Sequence, residues 1–386
     1  MSFLSQPIWL VGFRPFFVLG CLAGMSLPMV WALIFSGVLP APEMPFNSIQ
    51  WHAHEMFFGF GWAVLGGFLL TSTKNWVNVR GYHGAALALL ATAWLIERFA
   101  MIFGGHLPTP LLVIACNLFL GSIITMLVWT LVSNRKRDSY RDNLFFVVML
   151  PAFLIAKYLM LFGGDFTAGY TMAIGLFRLA FLVMLERTLS TFMKSGFQVE
   201  ILRNPKLDIA IKGLALTLVF EFLFPAPLTV ALTSALVILL GYRFIFWKPQ
   251  LAFTRIDIGI MYVGYLAILG QLLITALSHV FNFVWTGSVS VHLFTFGAMG
   301  CVIPAMIIRI SNGHTGRKVK FDGRDKLVLY IMLAALAIRI LIPQVFPSAY
   351  LACIYLAATC WMLAFGLLAW RYIPQLVSPR IDGREH

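Results

Sequence analysis

Trp51-His-Ala-His-Glu-Met-Phe-Phe-Gly-Phe60 runs directly into Gly61-Trp-Ala-Val-Leu-Gly-Gly-Phe-Leu-Leu70. Beyond Met56 this stretch holds no charged residue, and roughly 18–25 mostly apolar residues are what a helix needs to cross a bilayer. Its head carries two histidines, a carboxylate and a thioether within five residues. Ionisable groups at the point where hydrocarbon begins are expensive, so they call for a task. On a helix that starts near Trp51, His52 and Met56 share a face at i,i+4, and Glu55 lies beside them. His54 then points about 200° away, since each residue turns about 100°. One helix thus offers an imidazole to each of two neighbours. Imidazole with thioether suits copper, and imidazole alone also suits haem iron or zinc. The competing reading is a pair of interfacial histidines that cap the helix and bond to headgroups or backbone.

The rest of the chain extends the membrane reading. Of 386 residues, 60% are hydrophobic and only 11% charged, which no ordinary water-soluble domain matches. Apolar blocks of spanning length recur about twelve times, from 15–38 through a seventh at 208–224 to the last at 349–370. The fold class expected is all-α: a polytopic membrane protein of about twelve transmembrane helices, forming one bundle domain over 1–386. Alternate loops carry the basic residues: Lys74 and Arg80, then Arg135 to Arg141, then Arg187 to Lys206, then Lys248 and Arg255, then Arg317 to Lys326. The loops between them carry none. The positive-inside rule then places both termini in the cytoplasm and Trp51 on the outer side of the membrane. The net charge of +13 is a topological signal and does not point to nucleic acid. The five cysteines stand in apolar segments without a CxxC pair, so neither a zinc knuckle nor a disulfide scaffold is suggested. No dinucleotide or Walker motif and no fixed-period repeat is visible.

Topology gives polar residues a depth. His52, His54, His106, His279 and His292 fall toward the outer face, with Arg98, Lys157, Glu221 and Arg339 in outer halves of their spans. Buried charges at such depths must face protein, and Glu97–Arg98 and Glu221–Arg339 are the expected structural pairs. His83 and His314 fall on the inner side, with Arg14, Arg309 and Arg317.

A second constellation lies at 292–317. His292, Met299 and Met306 recur every seven residues on one stripe, Gly297 and Gly300 leave room for a close neighbour, and Pro304 is expected to kink the span. The helix should stop at Gly313-His-Thr-Gly-Arg317. His292 and His314 are 22 residues apart, about 33 Å along a helix, so they cannot share one metal. If both are ligands there are two centres. The inner one has His314, with Arg14, Arg309 and Arg317 placed to hold haem propionates by bidentate hydrogen bonds. The plain alternative for His314 is a helix C-terminal cap.

These residues resemble a known family. Gly12-Phe-Arg-Pro-Phe-Phe17, Trp51-His-Ala-His-Glu-Met56 with Gly59, Gly67-Phe-Leu-Leu-Thr71 with Asn75-Trp76, His292 with Gly297-Ala-Met-Gly300 and Arg309, and Gly313-His-Thr-Gly-Arg317 are similar to the signature blocks of the NnrS family. The blocks cover nearly the whole chain in the expected order. The resemblance departs at Glu186-Arg-Thr-Leu-Ser-Thr-Phe-Met193, where family members carry Gly-Arg followed by Pro-Phe-Phe-Thr. It implies a bacterial membrane protein with b-type haem and copper, associated with defence against nitric oxide. It makes His52, His54, Met56, His292 and His314 candidate metal ligands and Arg14, Arg309 and Arg317 candidate cofactor contacts. Glu55 is then the candidate proton donor for reduction of nitric oxide to nitrous oxide, with membrane quinol as candidate electron donor. The alternatives are a non-catalytic nitric oxide scavenger or sensor, and a twelve-helix transporter.

Overall fold

A computed structural model describes residues 3–384. Among these there is no strand. A chain this apolar satisfies its backbone inside hydrocarbon by keeping each hydrogen bond within one segment, which a helix does. Among the described residues, eleven helices are long and apolar enough to cross a membrane: α1 (Phe13–Phe35), α2 (Ser48–Trp76), α3 (Ala85–His106), α4 (Thr109–Ser133), α5 (Arg141–Leu161), α6 (Phe166–Phe197), α8 (Ala226–Phe246), α9 (Ile256–Ser278), α10 (Val289–His314), α11 (Gly323–Val345) and α12 (Pro347–Leu376). The protein is a multi-pass membrane protein.

The seventh expected span is the one that differs. It begins as α7 (Pro205–Thr217) and ends as a 3-10 segment, Leu218–Leu223. Phe220 leaves helical geometry at φ −104° and ψ 25°. The two pieces together rise about 31 Å, close to the thickness of the hydrocarbon core. The long basic loop expected after α6 is also shorter, because α6 continues as helix to Phe197 and carries Glu186 and Arg187 within it.

The chain packs as two compact units. The first takes the chain up to Tyr170, Ile307–Lys320 and the chain from Phe365 onward; the second takes Thr171–Met306 and Phe321–Ala364. In the first, α1 lies against α2 through glycines. A Cβ on Gly20 would stand 2.6 Å from Val64, and one on Gly67 would stand 2.6 Å from Phe16. Small residues at the crossing let the helix backbones approach, which is how membrane helices gain dispersion contact when lipid already solvates their apolar faces.

α2 and α10 are not uniform α-helices. α2 widens to π-helical geometry over Glu55–Gly61, and α10 does so over Leu293–Met299. Each turn is seven residues long and follows a histidine, His54 in one and His292 in the other. One register shift relates these histidines, the turns, Gly59 to Gly297, Val64 to Val302, and the start of α3 to the start of α11. Gly264 on α9 meets Val302 as Gly20 on α1 meets Val64. The chain thus carries an internal duplication that sequence periodicity did not reveal. In α10 the departure from α geometry precedes Pro304, which itself lies inside regular helix.

Candidate functional site

The head of α2 is pinned at several points. The Asn47 side chain accepts from Ile49 N at 3.0 Å and Gln50 N at 2.9 Å, and Gln50 Oε1 accepts from Asn47 N at 2.8 Å. This capping box satisfies donors the first turn would leave open. Gln50 also donates to the Met160 carbonyl of α5 at 2.8 Å, and the Trp51 indole donates to the Met101 carbonyl of α3 at 2.9 Å. The turn that carries the histidines is therefore fixed against two neighbouring helices before the π-helical segment begins.

A charged cluster buried in the first unit follows. His54 Nδ1 lies 3.1 Å from Glu55 Oε1, and His54 Nε2 lies 3.0 Å from Glu97 Oε1 on α3. Arg98 meets Glu55 Oε2 and Glu97 Oε1, each at 3.3 Å. Lys157 of α5 donates to Glu97 and to the Cys116 carbonyl. His54, Glu97 and Lys157 are fully buried and Glu55 nearly so. The aromatic wall adds cation–π contact: Arg98 lies 5.2 Å from the Trp94 ring and Lys157 5.4 Å from the Phe58 ring. Gly59 makes the cluster possible, because a Cβ there would occupy the space of Arg98 Nη1.

Two positive and two negative side chains cancel, which is the condition for burying charge at all. Both nitrogens of His54 face carboxylate oxygens. An imidazole satisfies two acceptors only with a proton on each nitrogen, or with a carboxylic acid donating to one of them. The helical wheel put Glu55 beside His52 and Met56. The structure turns it to His54 instead, because Arg98 and the widened turn draw the carboxylate toward α3.

The other expected site residues lie elsewhere. His52 is half-buried and stacks on Trp31 of α1, with centroids 4.2 Å apart and planes within 11°. Met56 is half-buried on α2. His292, in the second unit, donates from Nδ1 to the Ser288 carbonyl at 2.8 Å. His314, the last residue of α10, packs 5.4 Å from the Phe13 ring in the first unit. Arg14 stands next to that ring and donates to the Leu376 and Ser378 carbonyls at 2.8 and 2.7 Å. Arg380 donates to the His314 carbonyl at 3.0 Å and holds the Asp382 carboxyl well below the usual carboxylate range. Arg309 and Arg317 belong to the same unit. His106 is exposed on the surface near Glu43. Among the described residues, no group of three or more His, Cys, Asp or Glu side chains is arranged to hold a metal ion.

Some residues escaped sequence reasoning. Glu97 was expected only as the partner of its neighbour Arg98, yet it is the hub of the first-unit cluster. The signal was a third charged residue, Lys157, at matching depth two spans away. The expected Glu221–Arg339 pair does not form. Arg178 and His279 are the charges that act on Glu221, and Arg339 bonds to the Tyr350 hydroxyl at 3.2 Å. A second buried network, in the second unit, joins Glu186 to Lys212 and Arg203 at 2.9 Å and to Arg243 at 3.6 Å. Arg243 also reaches Asp208 at 3.5 Å and lies 4.6 Å from the Trp247 ring. The hub of this network, Glu186, opens the segment where the motif resemblance weakens.

The family model described as NnrS protein matches residues 7–380. The chain belongs to the NnrS family. It is accordingly a membrane protein of the nitric oxide response. The match takes in both histidine-bearing turns and the Gly313–Arg317 block. A search of curated proteins gives no match.

Proposed function

We propose that this NnrS protein is a haem- and copper-containing inner-membrane enzyme that detoxifies nitric oxide by reducing it to nitrous oxide. The observation that carries the ligand assignment is at His292. Its Nδ1–H donates to a backbone carbonyl, so in the neutral imidazole Nε2 is the nitrogen able to bind a metal. That is the state in which imidazole binds a metal, with the second nitrogen oriented by a hydrogen bond. His52 with Met56, and His314 at the other end of α10, are the remaining proposed ligands. Arg14, Arg309 and Arg317 are the proposed contacts for the carboxylates of b-type haem. His54 fits a ligand role least, since both its nitrogens face carboxylates. Its proposed part is to hold Glu55 and Glu97 in place.

When bound, haem iron beside a second metal supplies an open position where two nitrogen atoms can meet. The chain supplies the rest. Nitric oxide is small and uncharged, so it enters an apolar bundle without a polar channel. Two molecules of it with two electrons and two protons give nitrous oxide and water. Glu55 is the proposed proton donor, held by His54 and Arg98. Membrane quinol is the proposed source of electrons.

Detergent-purified protein should show a Soret band and copper on metal analysis, and should form nitrous oxide over many turnovers with a reductant. Consumption of one equivalent of nitric oxide without nitrous oxide would make it a scavenger or sensor. Absence of both metals would end the haem–copper reading and restore the transporter alternative.

A further inference from the structure

In the second unit, Arg178 lies in a membrane-spanning helix, α6, and is fully buried. Among the described residues its hydrogen-bond partner is neutral: Nη1 donates to Gln271 Oε1 of α9 at 2.9 Å, and the buried Nε has no partner. A guanidinium inside hydrocarbon is expensive, and an open buried N–H adds to the cost. From Gln271 a polar ladder leads to the start of α10. Gln271 Nε2 donates to Thr275 Oγ1 at 3.0 Å and to Ser290 Oγ at 3.4 Å, and the two hydroxyls are 3.2 Å apart. Thr275 and Ser290 are half-buried. Only one hydroxyl of the pair can donate to the other, so one hydroxyl proton remains to be given. Both ends of the ladder therefore offer donors.

The duplication shows what the same place holds in the first unit. Gly264 meets Val302 as Gly20 meets Val64. Counted along the helices from those contacts, Thr275 stands where Trp31 does and Ser290 where His52 does. Trp31 and His52 are flat rings stacked 4.2 Å apart. Their counterparts are two small hydroxyl side chains. Nearby, Phe181 of α6, one turn beyond Arg178, meets Phe294 of α10 edge to face at 6.1 Å. Charge narrows the ligand further. The Leu218–Leu223 segment packs on α6 one turn before Arg178, where a Cβ on Gly175 would stand 3.1 Å from Val219 Cα. That segment carries Glu221, the opposite charge that acts on Arg178. A second anion would be repelled there, whereas a neutral ligand with acceptor oxygens would not. We propose that Arg178, Thr275 and Ser290 bind the head of a membrane quinone or quinol, with one ring oxygen on the guanidinium and the other on the hydroxyl pair. The flat ring takes the place that Trp31 and His52 fill in the first unit. Such a ligand arrives through lipid, and an apolar ring with a polar atom at each end matches an apolar site with a few placed donors. The proposal deepens the reading of membrane quinol as the electron source, and its purpose rests on that reading. Ser290 is two residues before His292, so the bound ring would lie beside the proposed metal ligand.

Full-length protein in phosphatidylcholine nanodiscs tests this through its unfolding midpoint, which a bound ligand raises. Decylubiquinone is titrated against decylbenzene at equal mole fraction in the lipid, and sodium nitrate against sodium chloride at equal ionic strength. A saturable rise with decylubiquinone alone is expected. Arg178→Gln, and the double variant Thr275→Val with Ser290→Ala, should each weaken the apparent affinity about tenfold or more. The hydroxyl pair is uncharged and half-buried, so the double variant carries the test if loss of Arg178 prevents folding. No saturable rise, an equal rise with decylbenzene, or full affinity in the double variant overturns the proposal. A rise with nitrate in place of decylubiquinone makes this an anion site and overturns it too. The readout needs no turnover. Protein that binds decylubiquinone but forms no nitrous oxide keeps the site and removes the enzyme reading. Protein that forms nitrous oxide with dithionite but binds no decylubiquinone does the reverse.

Discussion

After His54 the chain takes a π-helical turn over Glu55–Gly61, and after His292 it takes one over Leu293–Met299. The two turns pair position by position, and their neighbours do the same. Where the first has Glu55, Glu97 and Arg98, the second has Leu293, Ala335 and Leu336. Gly59 leaves room for the Arg98 guanidinium, while the place of a Cβ on Gly297 lies 3.6 Å from Leu336. The backbone device is shared and the chemistry is not. His54 turns both nitrogens to carboxylates, and Nδ1 of His292 goes to a backbone carbonyl. A π-helical turn splays backbone that a regular helix would close, and such turns gather at functional sites. Here one copy serves a charge cluster and the other carries the imidazole proposed above as a metal ligand.

The largest effect expected from this contrast is at Lys157. Replacing it with Met leaves Glu97 buried beside an incomplete set of cations and should cost about 3–5 kcal/mol of stability. Adding Glu97→Gln in the same chain should return much of that loss, because the charge that needed a partner is gone. Unfolding in detergent or nanodiscs measures both. Equal losses in the single and double variants would show that the cluster is not a coupled unit.

The glycines come next. Gly59→Ala forces the Arg98 guanidinium to move and should cost about 1–3 kcal/mol, as overpacking does. Gly297→Ala should cost a similar amount by pressing on Ala267. The comparison sharpens if Gly59→Ala is relieved by Arg98→Leu, which copies the second half, and breaks if it is not.

Part of this was legible in the sequence for a physical reason. Hydropathy marks spans because each must satisfy its backbone internally, and His-Ala-His-Glu at a hydrocarbon boundary marks itself by cost. The π-helical turns were not legible, since no residue type demands one and the extra width is tolerated only where neighbouring helices accommodate it. Helical-wheel geometry therefore did not foretell the contacts of Glu55 with His54 and Arg98. Pairing across spans was half legible. Depth put Arg98, Lys157 and Arg339 in outer halves, but depth alone does not say which helices touch, so Glu221 was matched to Arg339 when Arg178 and His279 are the charges that act on it. The break at Phe220 hid because hydropathy averages over a span, and Leu218–Leu223 is apolar apart from Glu221.

Metal content tests the division of labour directly. His292→Gln should lower haem or copper retention about tenfold or more, while His54→Gln should leave metal content near that of the native chain. Visible spectra and elemental analysis of purified variants read the result. Loss of metal in the His54 variant alone would reverse the assignment of the two halves.

The smallest effect concerns how each turn is anchored. Trp51 stands where the second copy has Val289, and both side chains are buried. Only the indole has a donor to place, and it bonds to the Met101 carbonyl at 2.9 Å. Trp51→Phe keeps most of the packing and removes that bond, so it should cost about 0.5–1.5 kcal/mol. The cost should also appear as faster hydrogen exchange in the first turn of α2, where the capping box alone would then hold the backbone. If exchange there is unchanged, the cap and Gln50 suffice to anchor the turn. The indole would then matter only for its bulk, and the first half would be fixed by the same apolar contacts as the second.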